Sequence, residues 1–165
     1  SDRLLRFVDS FRAVTRIPAP QKAPFYLSEL VAESLLLIPH EGIEVKVSIE
    51  PEDTMLYADR ALMSQVMVNL LKNATEALLT QDCDRKITIR STIDAEERIQ
   101  IEITNNGSAI PAEVAENIFT PFFTTKTDGS GIGLAVSRQI IRLHGGTLRL
   151  KHNEEGRVTF AVVME

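Results

Sequence analysis

Along residues 3–16 the apolar side chains Leu4, Phe7, Val8, Phe11 and Val14 recur at three- and four-residue intervals, which predicts an amphipathic helix with a single apolar stripe. The stretch that follows, Ile17-Pro18-Ala19-Pro20-Gln21-Lys22-Ala23-Pro24, ends it. Proline lacks the N–H and bars helical geometry in the residue before it. A helix set apart by so stiff a linker has little to pack against alone, and reads as part of a larger helical assembly. The body begins near Phe25. Residues 27–37 read as a second helix with Ser28 as its N-cap. Ile43, Val45, Val47 and Ile49 alternate, as in a strand with one buried face, and the short segment 55–58 is expected to pair with it. Residues 60–79 form the longest helical pattern. Alternation returns at 86–93, 98–104, 147–151 and 157–163, with a glycine-opened helix from Gly131 to about Leu143 between the two pairs. Residues 105–130 are irregular, and loops that long in compact domains are usually functional lids.

Hairpin-like strand pairs mixed with helices, in place of strict βαβ alternation, favour a two-layer α+β sandwich over a doubly wound sheet. The 165 residues are 44% hydrophobic and 25% charged, which excludes disorder and fits one domain that buries its own core. The single cysteine, Cys83, cannot close an internal disulfide and points to a reducing, cytoplasmic setting. No apolar run approaches the ~20 residues of a membrane span, and the chain opens on Ser1 with no leader pattern, as a fragment would. A net charge of −5 gives no basic footprint for nucleic acid. The local excess of Arg3, Arg6, Arg12, Arg16 and Lys22 over Asp2 and Asp9 reads as a solvated helix face.

Four constellations carry candidate chemistry. In the long helix, Asn69 and Asn73 share the stripe of Val66, Leu70 and Ala77, which puts two carboxamides where the helix meets the sheet. They either brace neighbouring backbone or turn their oxygens toward a hard cation or a phosphate. Asn105-Asn106-Gly107-Ser108-Ala109-Ile110 follows a strand and, taken bare, is a turn signal. Gly129-Ser130-Gly131-Ile132-Gly133-Leu134 opens a helix, as either a plain cap or a phosphate cradle. Between them, Phe119, Phe122 and Phe123 precede Lys126, as core packing at a loop base or as an aromatic hinge for a lid.

In that order and spacing, the four segments resemble the N, G1, F and G2 boxes of the ATP-binding domain of sensor histidine kinases, in the Bergerat-fold superfamily. The Thr-Pro-Phe-Phe-Thr-Thr-Lys form of residues 120–126 is most similar to nitrogen-regulation sensors. The resemblance covers about residues 25–165 and takes in Ala58-Asp59 and Leu143-His144-Gly145-Gly146-Thr147. It implies a two-layer sandwich of a mixed sheet and about three helices over residues 21–165. Residues 1–20 are then the end of a dimerisation-hairpin helix with its proline linker.

The resemblance also implies ATP and Mg²⁺ as cofactors. Asn73 ligates the metal, and Asn69 faces the phosphates and joins Lys126 in catalysis. Asn105 meets the adenine amino group, with Thr159 behind it. Gly107 and Ile110 shape the base pocket, while Ala77 and Leu134 line the cofactor site. Phe122, Phe123 and Lys126 belong to the lid, and Gly131 and Gly133 cradle phosphates. His144 is structural. The implied reaction moves the ATP γ-phosphate to a histidine on the hairpin, which is absent here, with a response regulator as further partner. A homodimer is expected only in the full-length protein.

Two positions depart from the family pattern. Asn105 stands where the family usually has Asp, and Ala109 where it has a second glycine. They keep open a degenerate nucleotide-binding or interaction module. A Bergerat-type ATPase is the other alternative, but it needs a glutamate base where Asn69 stands, and an amide takes no proton at neutral pH.

Overall fold

A computed structural model of the chain describes residues 2–123 and 132–165. Helix α1 (Asp2–Thr15) leads into strand β1 (Ala23–Tyr26), α2 (Leu27–Leu37), β2 (Glu44–Ile49), β3 (Met55–Ala58) and α3 (Arg60–Ala77). Strands β4 (Lys86–Ile93) and β5 (Ile99–Asn105), the single turn α4 (Ala112–Ala115), α5 (Gly133–Leu143), β6 (Thr147–Glu154) and β7 (Arg157–Met164) complete the chain.

Five strands make one sheet in the order β2-β4-β5-β7-β6, with β2 parallel to β4 and every other pair antiparallel. Alternation sends Ile87, Ile89, Ile101, Ile103, Phe160 and Val162 to one face, where they are buried. Leu30, Val66, Leu70, Ile140 and Ile141 of α2, α3 and α5 join them in one core. This is the expected two-layer α+β sandwich with a mixed sheet.

Three local expectations need correction. The segment β3 pairs with β1 and not with β2, in antiparallel register with Phe25 opposite Leu56, because the apolar pair Phe25 and Leu56 closes the end of the core. Strand β2 is an edge with no fully buried side, and Val47 is exposed. Ser28 lies inside the first turn of α2, since Tyr26 precedes that helix without a side-chain cap. At α3 a cap is present: Asp59 Oδ1 accepts from the Leu62 amide at 3.1 Å.

Asp59 also ties distant segments together. Its Oδ2 accepts from the Gln21 amide at 2.9 Å, and its own N–H donates to His144 Nε2 at 3.0 Å. His144 is buried, and its Nδ1 lies 2.8 Å from the Ile140 carbonyl. A carbonyl can only accept and an amide N–H only donate, so the imidazole is neutral with its proton on Nδ1. This latch joins the end of α5 to the start of α3 and bears out a structural His144. Gly146 packs so closely on the Val163 carbonyl that no side chain fits there. The linker is pinned at Gln21, and Ile17 packs on the core. Helix α1 is therefore less isolated than its sequence suggests, and its Phe7 ring stacks on Phe122 with centroids 4.8 Å apart.

Candidate functional site

The central joint lies between α3 and the first turn of α5. Asn69 Nδ2 donates to the Gly133 carbonyl at 3.2 Å and to Ser137 Oγ at 3.1 Å, so this carboxamide braces backbone. One turn on, Asn73 is half-buried, and among the described residues its carboxamide has no hydrogen-bond partner. A half-buried amide without a partner is suited to a ligand. Helix α5 begins after Ile132 with no side-chain cap among the described residues, and a helix N-terminus of this kind favours an anion. Gly133 has room for a methyl group, with Asn69 Cγ 3.7 Å from an added Cβ; its place at this site comes from its backbone. Leu134 is half-buried against the core.

The second wall rises from the end of β5. Asn105 is 2% exposed, and its Oδ1 accepts from the Gly107 amide at 2.9 Å. Gly107 is held tightly: a Cβ there would come within 3.0 Å of Asn105 Oδ1 and 3.1 Å of the Ala77 carbonyl. The end of α3 thus abuts this turn through backbone, while the Ala77 side chain is exposed. The β6–β7 hairpin fastens the loop that follows. Asn153 Oδ1 accepts from the Ile110 amide at 2.7 Å, and its Nδ2 donates to the Ile110 carbonyl at 2.8 Å. Glu155 Oε2 accepts from the Ala109 amide at 3.1 Å, and the Gly156 amide donates to the Gly107 carbonyl at 2.9 Å.

Thr159 is not placed at this wall. It stands opposite Thr104, with their hydroxyls 2.8 Å apart, while Asn105 stands opposite Val158. Cross-strand partners share a face and neighbours alternate, so Thr159 lies on the face opposite Asn105. The residue behind Asn105 is Val158.

The phenylalanines divide between the two readings. Phe119 packs edge-on against Phe160 at 6.1 Å and lies under the Arg138 guanidinium at 4.8 Å, so it is the loop base. Phe122 adopts a left-handed φ of 68° with its ring on Phe7, and Phe123 is 38% exposed beside it. Left-handed backbone is strained for a bulky residue, and the ring stack helps to offset that strain. Lys126 and Gly131 lie outside the described residues.

Asn153, Glu155 and Ser137 complete the site without a sequence signal of their own. Asn153 and Glu155 sit in His152-Asn153-Glu154-Glu155-Gly156, which reads only as a turn between strands. Among the described residues no three His, Cys, Asp or Glu side chains gather to hold a metal alone. Asn73 offers a neutral oxygen, so a cation fits here only where phosphate oxygens supply the charge.

Residues 58–165 match the family of histidine kinase-, DNA gyrase B- and HSP90-like ATPases. Sensor protein FixL of Bradyrhizobium diazoefficiens is 36% identical over 81% of this chain and 27% of its own length. The C4-dicarboxylate transport sensor protein DctB of Rhizobium meliloti is 32% identical over 98% of this chain and 26% of its own. The chain therefore spans about a quarter of these relatives. Among solved structures, the nucleotide-free catalytic domain of histidine kinase ThkA superposes with a TM-score of 0.76 at 36% identity, covering 87% of this chain and 95% of that one. ThkA in complex with response regulator protein TrrA gives a TM-score of 0.78 at 32% identity, over 99% of this chain and 47% of that one.

Proposed function

The chain belongs to the family of histidine kinase-, DNA gyrase B- and HSP90-like ATPases, and from that premise we propose that residues 21–165 are the ATP-binding catalytic domain of a two-component sensor histidine kinase. Residues 1–20 are the end of the hairpin helix through which the parent protein dimerises. The reaction is transfer of the ATP γ-phosphate to a histidine on that hairpin, from which a response regulator takes it. No helix among the described residues is long and apolar enough to cross a membrane. This part of the parent works in the cytoplasm.

The observation that carries the reading is the joint at Asn69. Its carboxamide is bonded into the start of α5 and cannot take a proton from water. Activation of water for hydrolysis has no base at this place. Positioning of a phosphate chain against the α5 N-terminus does have its parts.

Each group then has a task. Asn105 Oδ1 has two lone pairs; Gly107 N–H takes one, and the other accepts from the adenine amino group. Gly107 and Ile110 form the wall beside the base, held there by the β6–β7 hairpin, and Ala77 and Leu134 border the nucleotide. The first-turn amides of α5, with Gly131 and Gly133, hold phosphate oxygens. Asn73 lends its oxygen to Mg²⁺, which when bound neutralises charge building on the phosphates. Phe122, Phe123 and Lys126 cover the site, Lys126 meeting the phosphates as a second cation. Titration with a non-hydrolysable ATP analogue tests the reading: binding should require Mg²⁺, and Asn73→Ala should remove that requirement along with most of the affinity. Equal binding with and without Mg²⁺ would contradict it.

A further inference from the structure

Strand β6 closes the sheet, so among the described residues one side of its backbone has no partner strand. Beside it lies a cavity of about 500 Å³ whose lining includes Arg98, Gln100, Arg138, Arg142, Thr147 and Arg149. Thr147 and Gln100 both stand opposite Val163, and Arg149 follows two residues along, so these side chains rise from the open face of the sheet. Arg138 and Arg142, one turn apart, reach in from α5 on the other side of the β6 edge.

The cations are not equally engaged. Arg98 pairs with Asp94 at 3.0 Å and also with Glu96. Glu102, on the same open face, is held by Lys151 at 2.6 Å. Among the described residues no carboxylate meets Arg138, Arg142 or Arg149. Arg138 is half-buried and fixed by its stack on Phe119 at 4.8 Å. Burial and the like charge of Arg142 both lower its pKa, so its charge is held there against opposition. Asp94 and Glu96 stand at the Arg98 end of the cavity, where Asp94 also holds Gln100, but neither reaches Arg138, Arg142 or Arg149. Unopposed guanidinia around a free strand edge fit an anionic partner with strand geometry.

We propose that the β6 edge receives an extended acidic segment of a partner protein, which adds to the sheet as a strand and sets its carboxylates on Arg138, Arg142 and Arg149. Strand addition supplies main-chain hydrogen bonds, and the flanking side chains supply selectivity. Successive side chains of an added strand point to opposite faces. One row of acids then meets Arg149 and the other meets the α5 arginines. The cations are spread along an edge and over two faces, so they suit an extended chain better than a compact anion. This surface is distinct from the Asn69–Asn105 site and does not depend on its nucleotide chemistry.

The test is a titration of the chain with a labelled octapeptide of alternating Glu and Val, matched to the eight residues of β6. Saturable binding that weakens as salt rises is expected, with a loss of roughly tenfold or more in the double variant Arg142→Glu, Arg149→Glu. Both substituted side chains are exposed, and a circular-dichroism melt confirms folding. Lys46→Glu, on the opposite sheet edge, should leave binding unchanged. A peptide of equal charge with proline at alternate positions cannot complete a ladder and should bind several-fold more weakly. Equal binding of both peptides, or full competition by pyrophosphate, would overturn strand addition and leave only charge attraction. No binding at all would overturn the proposal and make the arginines guards against edge-to-edge pairing.

Discussion

The side-chain amide of Asn153 brackets the backbone of Ile110, accepting from its N–H at 2.7 Å and donating to its carbonyl at 2.8 Å. Two bonds from one planar group fix both position and orientation of the loop that follows Asn105. The same hairpin holds Ala109 through Glu155 and Gly107 through the Gly156 amide, so its role is to position the base-pocket wall. Asn153→Ala should weaken ATP-analogue binding several-fold, on the order of 1 kcal/mol. Amide exchange at Ala109 and Ile110 should quicken while the core strands stay protected. Unchanged exchange at both amides would show that the clamp does not hold the loop.

Gly107 sits where a methyl group has nowhere to go. An alanine Cβ would press on Asn105 Oδ1 at 3.0 Å and on the Ala77 carbonyl at 3.1 Å. Overpacking of this kind costs about 1–3 kcal/mol. Gly107→Ala should lower the melting temperature and displace Asn105, so nucleotide affinity falls further than stability alone explains. A variant that keeps both would mean the turn yields without disturbing Asn105.

Asp59 gives the fold an acid-sensitive joint. The Gln21 amide, then the Leu62 amide, hold its carboxyl below the ordinary value. A depressed carboxylate adds stability above its unfolded-state pKa, and that stability is lost as pH falls through the folded-state value. At pH 7, Asp59→Ala should cost about 1 kcal/mol through the lost cap. The gap between wild type and variant should narrow below about pH 4. Urea melts of both proteins across that range check it, and a gap independent of pH would contradict the linkage.

The regular elements were legible because their apolar periods are decided locally. Residues 86–93 alternate and form β4, and the stripe from Leu62 to Ala77 forms α3. Strand β1 was not legible. Four residues containing Pro24 look like linker, and only the distant β3 makes them a strand. The face of Thr159 failed for a related reason: a one-residue difference in register exchanges it with Val158, and only the ladder with β5 fixes which one backs Asn105. Motif spacing named Asn69, Asn73, Asn105 and Gly107 as candidates. It could not show Asn153, whose partner Ile110 is 43 residues away.

Asn105 should read the base loosely. An aspartate only accepts, whereas an asparagine carries a donor NH₂ beside its acceptor oxygen, so the guanine carbonyl is no longer repelled. A bond to a charged group is worth roughly 1.5–3 kcal/mol against about 0.5–1.5 for a neutral pair. Asn105→Asp should therefore tighten ATP several-fold and sharpen its preference over GTP. Titrations with both nucleotides decide it. If ATP binds the variant no better, Asn105 does not read the base.

Incubation with γ-labelled ATP, Mg²⁺ and a separately supplied dimerisation hairpin bearing its acceptor histidine tests the proposed activity most directly. Acid-labile label should accumulate on the hairpin. None should appear on His144, which is buried in its latch, or on His40 and His152, whose rings are tied to the Ile38 carbonyl and to Arg157. Release of free phosphate with an unlabelled hairpin would contradict phosphoryl transfer and make the chain an ATPase.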